Sequence, residues 1–281
     1  MSKDSAIFAS WTAQADALWR AQPFIAGRYV ETDNGPVWVR DGGGTGHPVV
    51  MLHANTGTSE SWQYQFAALM KAGLRPIAFD RPGKGCSPSG IEPRTVAETI
   101  EALAHAMDLA SFALIGVAGG SFVAIDYASA YPQRVSHLLL LATTGQFAEP
   151  EINEAVARIE IPEIRSQAAS YRELGPSYRA RSHEGVELWM ELHEHAFHQN
   201  GAASPELLSP NSYTKLKSLK CPLRVVAGGA DLIAPPALMR IWMQQLPEHE
   251  LHVICEAGHA PQWEEPEAVI QHALALIKGP R

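Results

Sequence analysis

The chain of 281 residues is poor in several features that usually announce a function. Its three cysteines, Cys86, Cys221 and Cys255, are odd in number and far apart. That excludes a CxxC zinc signature and a dense disulfide framework, and it fits a reducing, cytoplasmic setting. Basic residues are scarce for nonspecific nucleic-acid binding, which needs a positive footprint: 22 Lys and Arg stand against 30 Asp and Glu, a net charge of −8. No apolar run approaches the ~18 residues needed to cross a bilayer. Met1–Phe24 lacks the continuous apolar core and small-residue cleavage site of a secretory signal. Instead Ile7, Trp11, Ala15, Leu18 and Trp19 recur at helical spacing. This predicts an amphipathic helical extension over residues 1–25, ending before Pro23, with too few basic residues for membrane anchoring and a face that packs on the domain. Neither an internal repeat nor a low-complexity tract is present.

What the chain does have is apolar residues in short runs separated by helical stretches. Gly27–Thr32 and Pro36–Asp41 read as a hairpin turned at Asp33-Asn34-Gly35. The glycine-rich stretch 42–46 has no following GK[ST], so it reads as a loop between strands and not as a phosphate cradle. Runs at Pro48–Leu52, Pro76–Phe79, Phe112–Val117, Val135–Ala142, Leu223–Ala227 and Leu251–Ile254 are almost continuously apolar. Strands covered on both faces need that pattern, so they predict a mostly parallel buried sheet. Helical stretches at Ser59–Ala72, Arg94–Leu109, Ser121–Tyr131, Pro236–Leu246 and Pro266–Lys278 separate most of them. Between the sixth and seventh strands the alternation stops, and helix-prone sequence broken by Pro150, Pro162, Pro176 and Pro205 takes its place. The predicted architecture is an α/β core over 1–145 and 213–281 with a helical cap over 146–212, above the sheet edge where α/β ligands bind.

The strand Phe112–Val117 runs into Gly116-Val117-Ala118-Gly119-Gly120 and then a helix. This is the G-x-S-x-G nucleophile elbow with alanine where the nucleophile stands. His53-Ala54-Asn55-Thr56-Gly57 follows the third strand, and Asp80-Arg81-Pro82-Gly83-Lys84-Gly85-Cys86-Ser87 follows the fourth. Ala227-Gly228-Gly229-Ala230-Asp231 and Ala257-Gly258-His259 follow the last two. On these five motifs, in this order, the sequence resembles the α/β-hydrolase family, over about Gly27–Gly145 and Tyr213–Lys278. The resemblance implies the α/β-hydrolase fold, with a mostly parallel sheet flanked by helices and the cap inserted after the sixth strand. It implies Asp231 as the acid, His259 as the base, and the backbone N–H groups of Asn55 and Gly119 as the oxyanion hole. Ala54 departs from the family's pattern by replacing the first glycine of the oxyanion loop.

In that family a serine attacks a carbonyl carbon while the histidine takes its proton and the aspartate orients the imidazole. Alanine cannot do this. Three readings of Ala118 stay open: a Ser→Ala replacement that inactivates a serine hydrolase of carboxylic esters or related acyl bonds, a natural loss that leaves a ligand-binding protein, or base chemistry by His259 without a covalent nucleophile. The first is preferred, and lactone or carbon–carbon hydrolysis would use the same groups. Ser121 lies a helical turn beyond the elbow and should not reach the same point. The implied partner is a small, partly apolar acyl compound, with no cofactor and no metal; a homodimer is compatible with the chain. Candidate pocket residues are His53, Trp62, Trp189 and His193. Trp189, His193 and Phe197 follow i, i+4, i+8 spacing, so core packing competes with pocket lining there. His193, His195 and His198 do not form H-E-x-x-H, because Phe197 occupies the required position. The arginines spread through the cap, Arg158, Arg165, Arg172, Arg179 and Arg181, read as a solvated face.

Overall fold

A computed structural model of the protein describes residues 25–89, 94–197 and 205–279. The predicted N-terminal helix lies outside the described residues. Eight strands form one sheet in the order β1-β2-β4-β3-β5-β6-β7-β8. These are β1 Gly27–Thr32, β2 Gly35–Asp41, β3 Pro48–Leu52, β4 Arg75–Phe79, β5 Phe112–Val117, β6 Val135–Leu141, β7 Leu223–Gly228 and β8 Leu251–Ile254. Only β1–β2 and β2–β4 pair antiparallel; from β4 to β8 the sheet is parallel.

Strand side chains alternate between two separate cores, as a pleated ribbon requires. Val50, Leu52, Ile77, Phe79 and Leu114 face one core with helices α2 Val96–Ala106, α3 Gly119–Ala130 and α10 Pro236–Met243. Val49, Met51, Ala78, Ala113 and Ile115 face the other with α1 Gln63–Lys71 and α11 Pro266–Lys278. The near-continuous apolarity of these strands therefore comes from burial on both faces.

Element ends follow local chemistry. The predicted helix from Ser59 begins as a 3₁₀ turn over Ser59–Trp62, capped by Thr58 accepting from Glu60 N, and turns α-helical only after Trp62, whose backbone sits at φ −103°, ψ 3°. Helix α2 starts at Val96 because Thr95 and Glu98 close a capping box ahead of it. Strand β6 stops at Leu141 because Ala142 turns to φ +45°.

Between β6 and β7 run helices α4 Pro150–Ile159, α5 Pro162–Arg165, α6 Ala169–Glu173, α7 Pro176–Arg181, α8 His183–Phe197 and α9 Tyr213–Lys217. Proline stands in the first turn of α4, α5 and α7, where its missing N–H is harmless. A third cluster (Tyr64, Leu174, Tyr178, Trp189, Leu192, Ala260 and Trp263) joins these inserted helices to the loop after β8. Among the described residues no helix is long and apolar enough to cross a membrane.

Candidate active site

The loops after β3, β5, β7 and β8 leave the carboxyl ends of parallel strands. Strand β3 is the point where chain order reverses, with β4 on one side and β5 on the other. In open α/β sheets ligands bind at such a point.

The elbow is built from backbone crowding. A Cβ on Gly116 would stand 2.7 Å from the Gly120 backbone, one on Gly120 2.3 Å from the Leu52 carbonyl oxygen, and one on Gly119 2.0 Å from Asn55 Oδ1. A side chain at Gly116 or Gly120 would push β5, α3 and the loop after β3 apart, and one at Gly119 would displace the Asn55 side chain. Between them Ala118 adopts φ +50°, ψ −117°, a conformation that costs an alanine about 1–3 kcal/mol. Its N–H donates to Leu141 O at 2.9 Å, and its carbonyl accepts from Ser121 N at 3.0 Å and Thr143 Oγ1 at 3.2 Å. Ser121 is fully buried and donates its hydroxyl to Gly116 O at 2.7 Å, so it closes the turn.

The side chains of Asp231 and His259 meet at the ends of the last two strands. His259 Nδ1 lies 2.8 Å from Asp231 Oδ2, while Asp231 Oδ1 accepts the N–H groups of Ile233 at 2.7 Å and Ala234 at 2.9 Å. The His259 backbone N–H donates to Glu173 O at 2.7 Å, which fastens α6 to this loop. Burial works against a charged His259, yet Asp231, Glu173 and Glu264 together outweigh it and hold the imidazole pKa above its ordinary value. Glu264 lies under the same loop and accepts from Gly175 N at 2.6 Å, Gly258 N at 2.9 Å and Ala260 N at 3.2 Å. Desolvation nevertheless lifts its carboxyl to about 7.

On the opposite side, His53 is fully buried with both ring nitrogens engaged: Nε2 accepts Arg81 N–H at 3.0 Å and Nδ1 donates to Ala54 O at 2.7 Å. That pattern requires the neutral Nδ1–H tautomer, and burial with Arg81 and Lys84 nearby presses its pKa well down. His53 thus ties the loop after β3 to the loop after β4. Arg81 Nη2 reinforces the tie by donating to Ala54 O at 3.0 Å and Asn55 Oδ1 at 3.1 Å. Among the described residues neither the Asn55 nor the Gly119 backbone N–H donates a hydrogen bond within the protein.

The remaining candidates surround this centre. Trp62 is fully buried in the same apolar cluster as Ala54 and Ala118. Trp189 is buried on α8 and donates its indole N–H to Glu173 Oε2 at 3.2 Å. His193, one turn further on, is half-buried; desolvation, Arg172 and Lys84 push its pKa down to about 4, so it is neutral at pH 7. Glu173 and Glu264 carry no signal in the sequence, and Arg81 and Lys84 enter it only as members of the motif after β4. Glu173 is buried, hydrogen-bonded by Trp189 and Thr56, and raised in pKa chiefly by desolvation. Among the described residues no group of three His, Cys, Asp or Glu side chains is placed to hold a metal ion.

Comparison with known proteins gives the family. The sequence profile of the alpha/beta hydrolase family matches residues 49–272, and the chain belongs to that family. It is 28% identical over 256 residues to a Mycobacterium tuberculosis protein bearing the name non-heme bromoperoxidase BpoC, covering 82% of this chain and 93% of the relative. A poly(3-hydroxyalkanoate) depolymerase of Ectopseudomonas oleovorans is 27% identical over 271 residues, with 92% and 95% covered. Among solved structures, a malate-bound thermophilic esterase from Thermogutta terrifontis superposes with a TM-score of 0.71 at 26% identity, covering 88% of this chain and 96% of the esterase.

Proposed function

We propose that the site is that of an acyl hydrolase for a small, partly apolar ester or related carbonyl compound, and that Ala118 withholds its covalent step. The supporting observation is the backbone of Ala118 itself. A strained φ of +50° is kept at the position from which a nucleophile would project, with only a methyl group to benefit. In this reading the carbonyl oxygen sits against the Asn55 and Gly119 N–H groups, which are preorganised for the charge of a tetrahedral intermediate. His259, oriented through Nδ1 by Asp231, presents Nε2 to the reacting centre as base and then as acid. The inserted helices serve as a cap that keeps water out. The names of the depolymerase and the esterase support an ester as the bond concerned.

The test is Ala118→Ser, assayed on chromogenic esters of graded acyl length. The hydroxyl is expected to raise turnover more than ~10³-fold over the unsubstituted chain, the scale of losing a triad member while the oxyanion donors remain. A folded variant that is inert on the whole panel overturns the proposal. Turnover by the unsubstituted chain within about tenfold of the variant would instead favour direct base chemistry by His259.

A further inference from the structure

Three consecutive backbone N–H groups fix the loop that carries His259, and two of them end on one carboxylate. Gly258 N donates to Glu264 Oε1 at 2.9 Å and Ala260 N to the same oxygen at 3.2 Å, so these bonds stand on either side of His259. The N–H between them, that of His259, goes to Glu173 O at 2.7 Å. The second oxygen, Oε2, accepts Gly175 N–H at 2.6 Å from the inserted helices. Glu264 is only 2% exposed. An anion so deep is costly unless hydrogen bonds replace its water, and here backbone N–H groups do so.

Local structure brings the carboxylate to this place. A single helical turn over Pro261–Glu264 follows His259, with Trp263 N and Glu264 N both donating to Ala260 O at 2.9 and 3.0 Å. Side chains on a helix lean toward its N-terminus, which returns the Glu264 carboxylate beneath residues 258–260. A bond to Ala260 N alone would be an ordinary helix cap. The bonds to Gly258 and Gly175 go further, and glycine makes the close approach possible. A Cβ on Gly258 would stand 2.4 Å from Gly175 N, and one on Gly175 2.7 Å from Glu256 O. The base loop is also tied to the acid loop, since Ala230 N donates to Ala257 O at 2.9 Å.

We propose that Glu264 is a positioning residue for the reaction at the elbow: its carboxylate holds the backbone on both sides of His259 and so aims Nε2 toward residue 118, and through Gly175 it makes that aim depend on the seat of the inserted helices. With Nδ1 held by Asp231 and the main chain pinned on either side, the imidazole keeps one orientation. The effect on rate rests on the acyl-site reading above. The effect on the imidazole does not.

Three substitutions separate reach, charge and general stability. Glu264→Asp keeps the charge but withdraws both oxygens by one methylene. Glu264→Gln keeps the reach, loses the charge and turns an amide donor against N–H donors. Arg181→Met is the control, because Arg181 donates to the Glu264 carbonyl oxygen and pairs with Glu265 while leaving the Glu264 carboxylate alone. Assays run at about pH 8 keep the Glu264 carboxyl ionised, since burial lifts it to about 7. In the Ala118→Ser background both Glu264 variants are expected to lower kcat on a chromogenic ester by ~10–10²-fold with KM within about twofold, the scale of a misplacement of about an ångström. Arg181→Met should stay within about twofold in both constants. In the unsubstituted chain, NMR should show the His259 Nδ1 proton exchanging with water at least ~10-fold faster in both Glu264 variants, as a loosened hydrogen bond requires. Loss of rate in Glu264→Gln with none in Glu264→Asp would overturn the proposal, because charge alone would then be acting. An equal loss in Arg181→Met would overturn it too, since any loosening of this corner would then slow the reaction. Unchanged exchange in both Glu264 variants overturns it whatever the rates. Where Glu264→Gln fails to fold, Glu264→Asp carries both measurements. If the Ala118→Ser form is inert on every ester, the acyl-site reading fails, and proton exchange alone decides the positioning role: faster exchange upholds it and unchanged exchange overturns it.

Discussion

Two histidines leave the same edge of the sheet, His53 after β3 and His259 after β8, and their environments drive them in opposite directions. His53 sits among cations, with Arg81 and Lys84 adding to desolvation, and both its nitrogens are committed to backbone groups. His259 sits among carboxylates, and only Nδ1 is committed. Residue type and burial are nearly shared, so the surrounding charge is what drives the two imidazoles apart. The difference also polarises the space between them, with a cationic wall behind the oxyanion loop and an anionic wall behind the imidazole. In the proposed reaction the developing negative charge of a carbonyl compound is drawn one way and the departing proton the other.

Three substitutions would break or sharpen this comparison. The largest effect is expected from His259→Gln in the Ala118→Ser background, where ester hydrolysis should fall ~10³-fold or more while the urea unfolding midpoint moves little. His53→Ala should do the reverse, costing ~2–4 kcal/mol of stability in urea titrations through a buried cavity and two lost hydrogen bonds. If His53→Ala left stability unchanged, its role as a tie between the two loops would be wrong. The smallest effect concerns Glu173→Gln, again in the Ala118→Ser background. An ionised Glu173 favours the imidazolium, so removing its charge lowers the His259 pKa, and the acid limb of the kcat/KM profile moves to lower pH. An unmoved limb would mean that Glu173 is already neutral where His259 titrates, leaving Asp231 and Glu264 as the anionic wall.

The scaffold was legible because its signals are local. The six parallel-sheet strands match apolar runs to within a residue or two at each end, since a strand covered on both faces leaves little freedom in its sequence. The turn at Ala118 and the contact between Asp231 and His259 were legible because glycines and a fixed chain order mark them. The buried charges around these loops were not. Arg81, Lys84, Glu173 and Glu264 look like ordinary solvated residues in a linear reading, and only tertiary packing removes them from water. Arg172 shows the same limit: read as part of a solvated face, it acts electrostatically on both His193 and Glu173. His53 was read for its chemistry, but its hydrogen bonds run to residues 1 and 28 positions away, and the second of these has no local signature.

The strained turn at Ala118 also has a genetic meaning. Every alanine codon becomes a serine codon by a change of its first base alone. The backbone of residue 118 holds φ +50°, and the His259 imidazole, Asp231 and the Asn55 and Gly119 N–H groups stand in the loops around it. In the proposed reading that one base change supplies the nucleophile, with no intermediate step at which the fold must be remade. Selection against hydrolysis, if the present role is to hold a ligand intact, has to act on that single base.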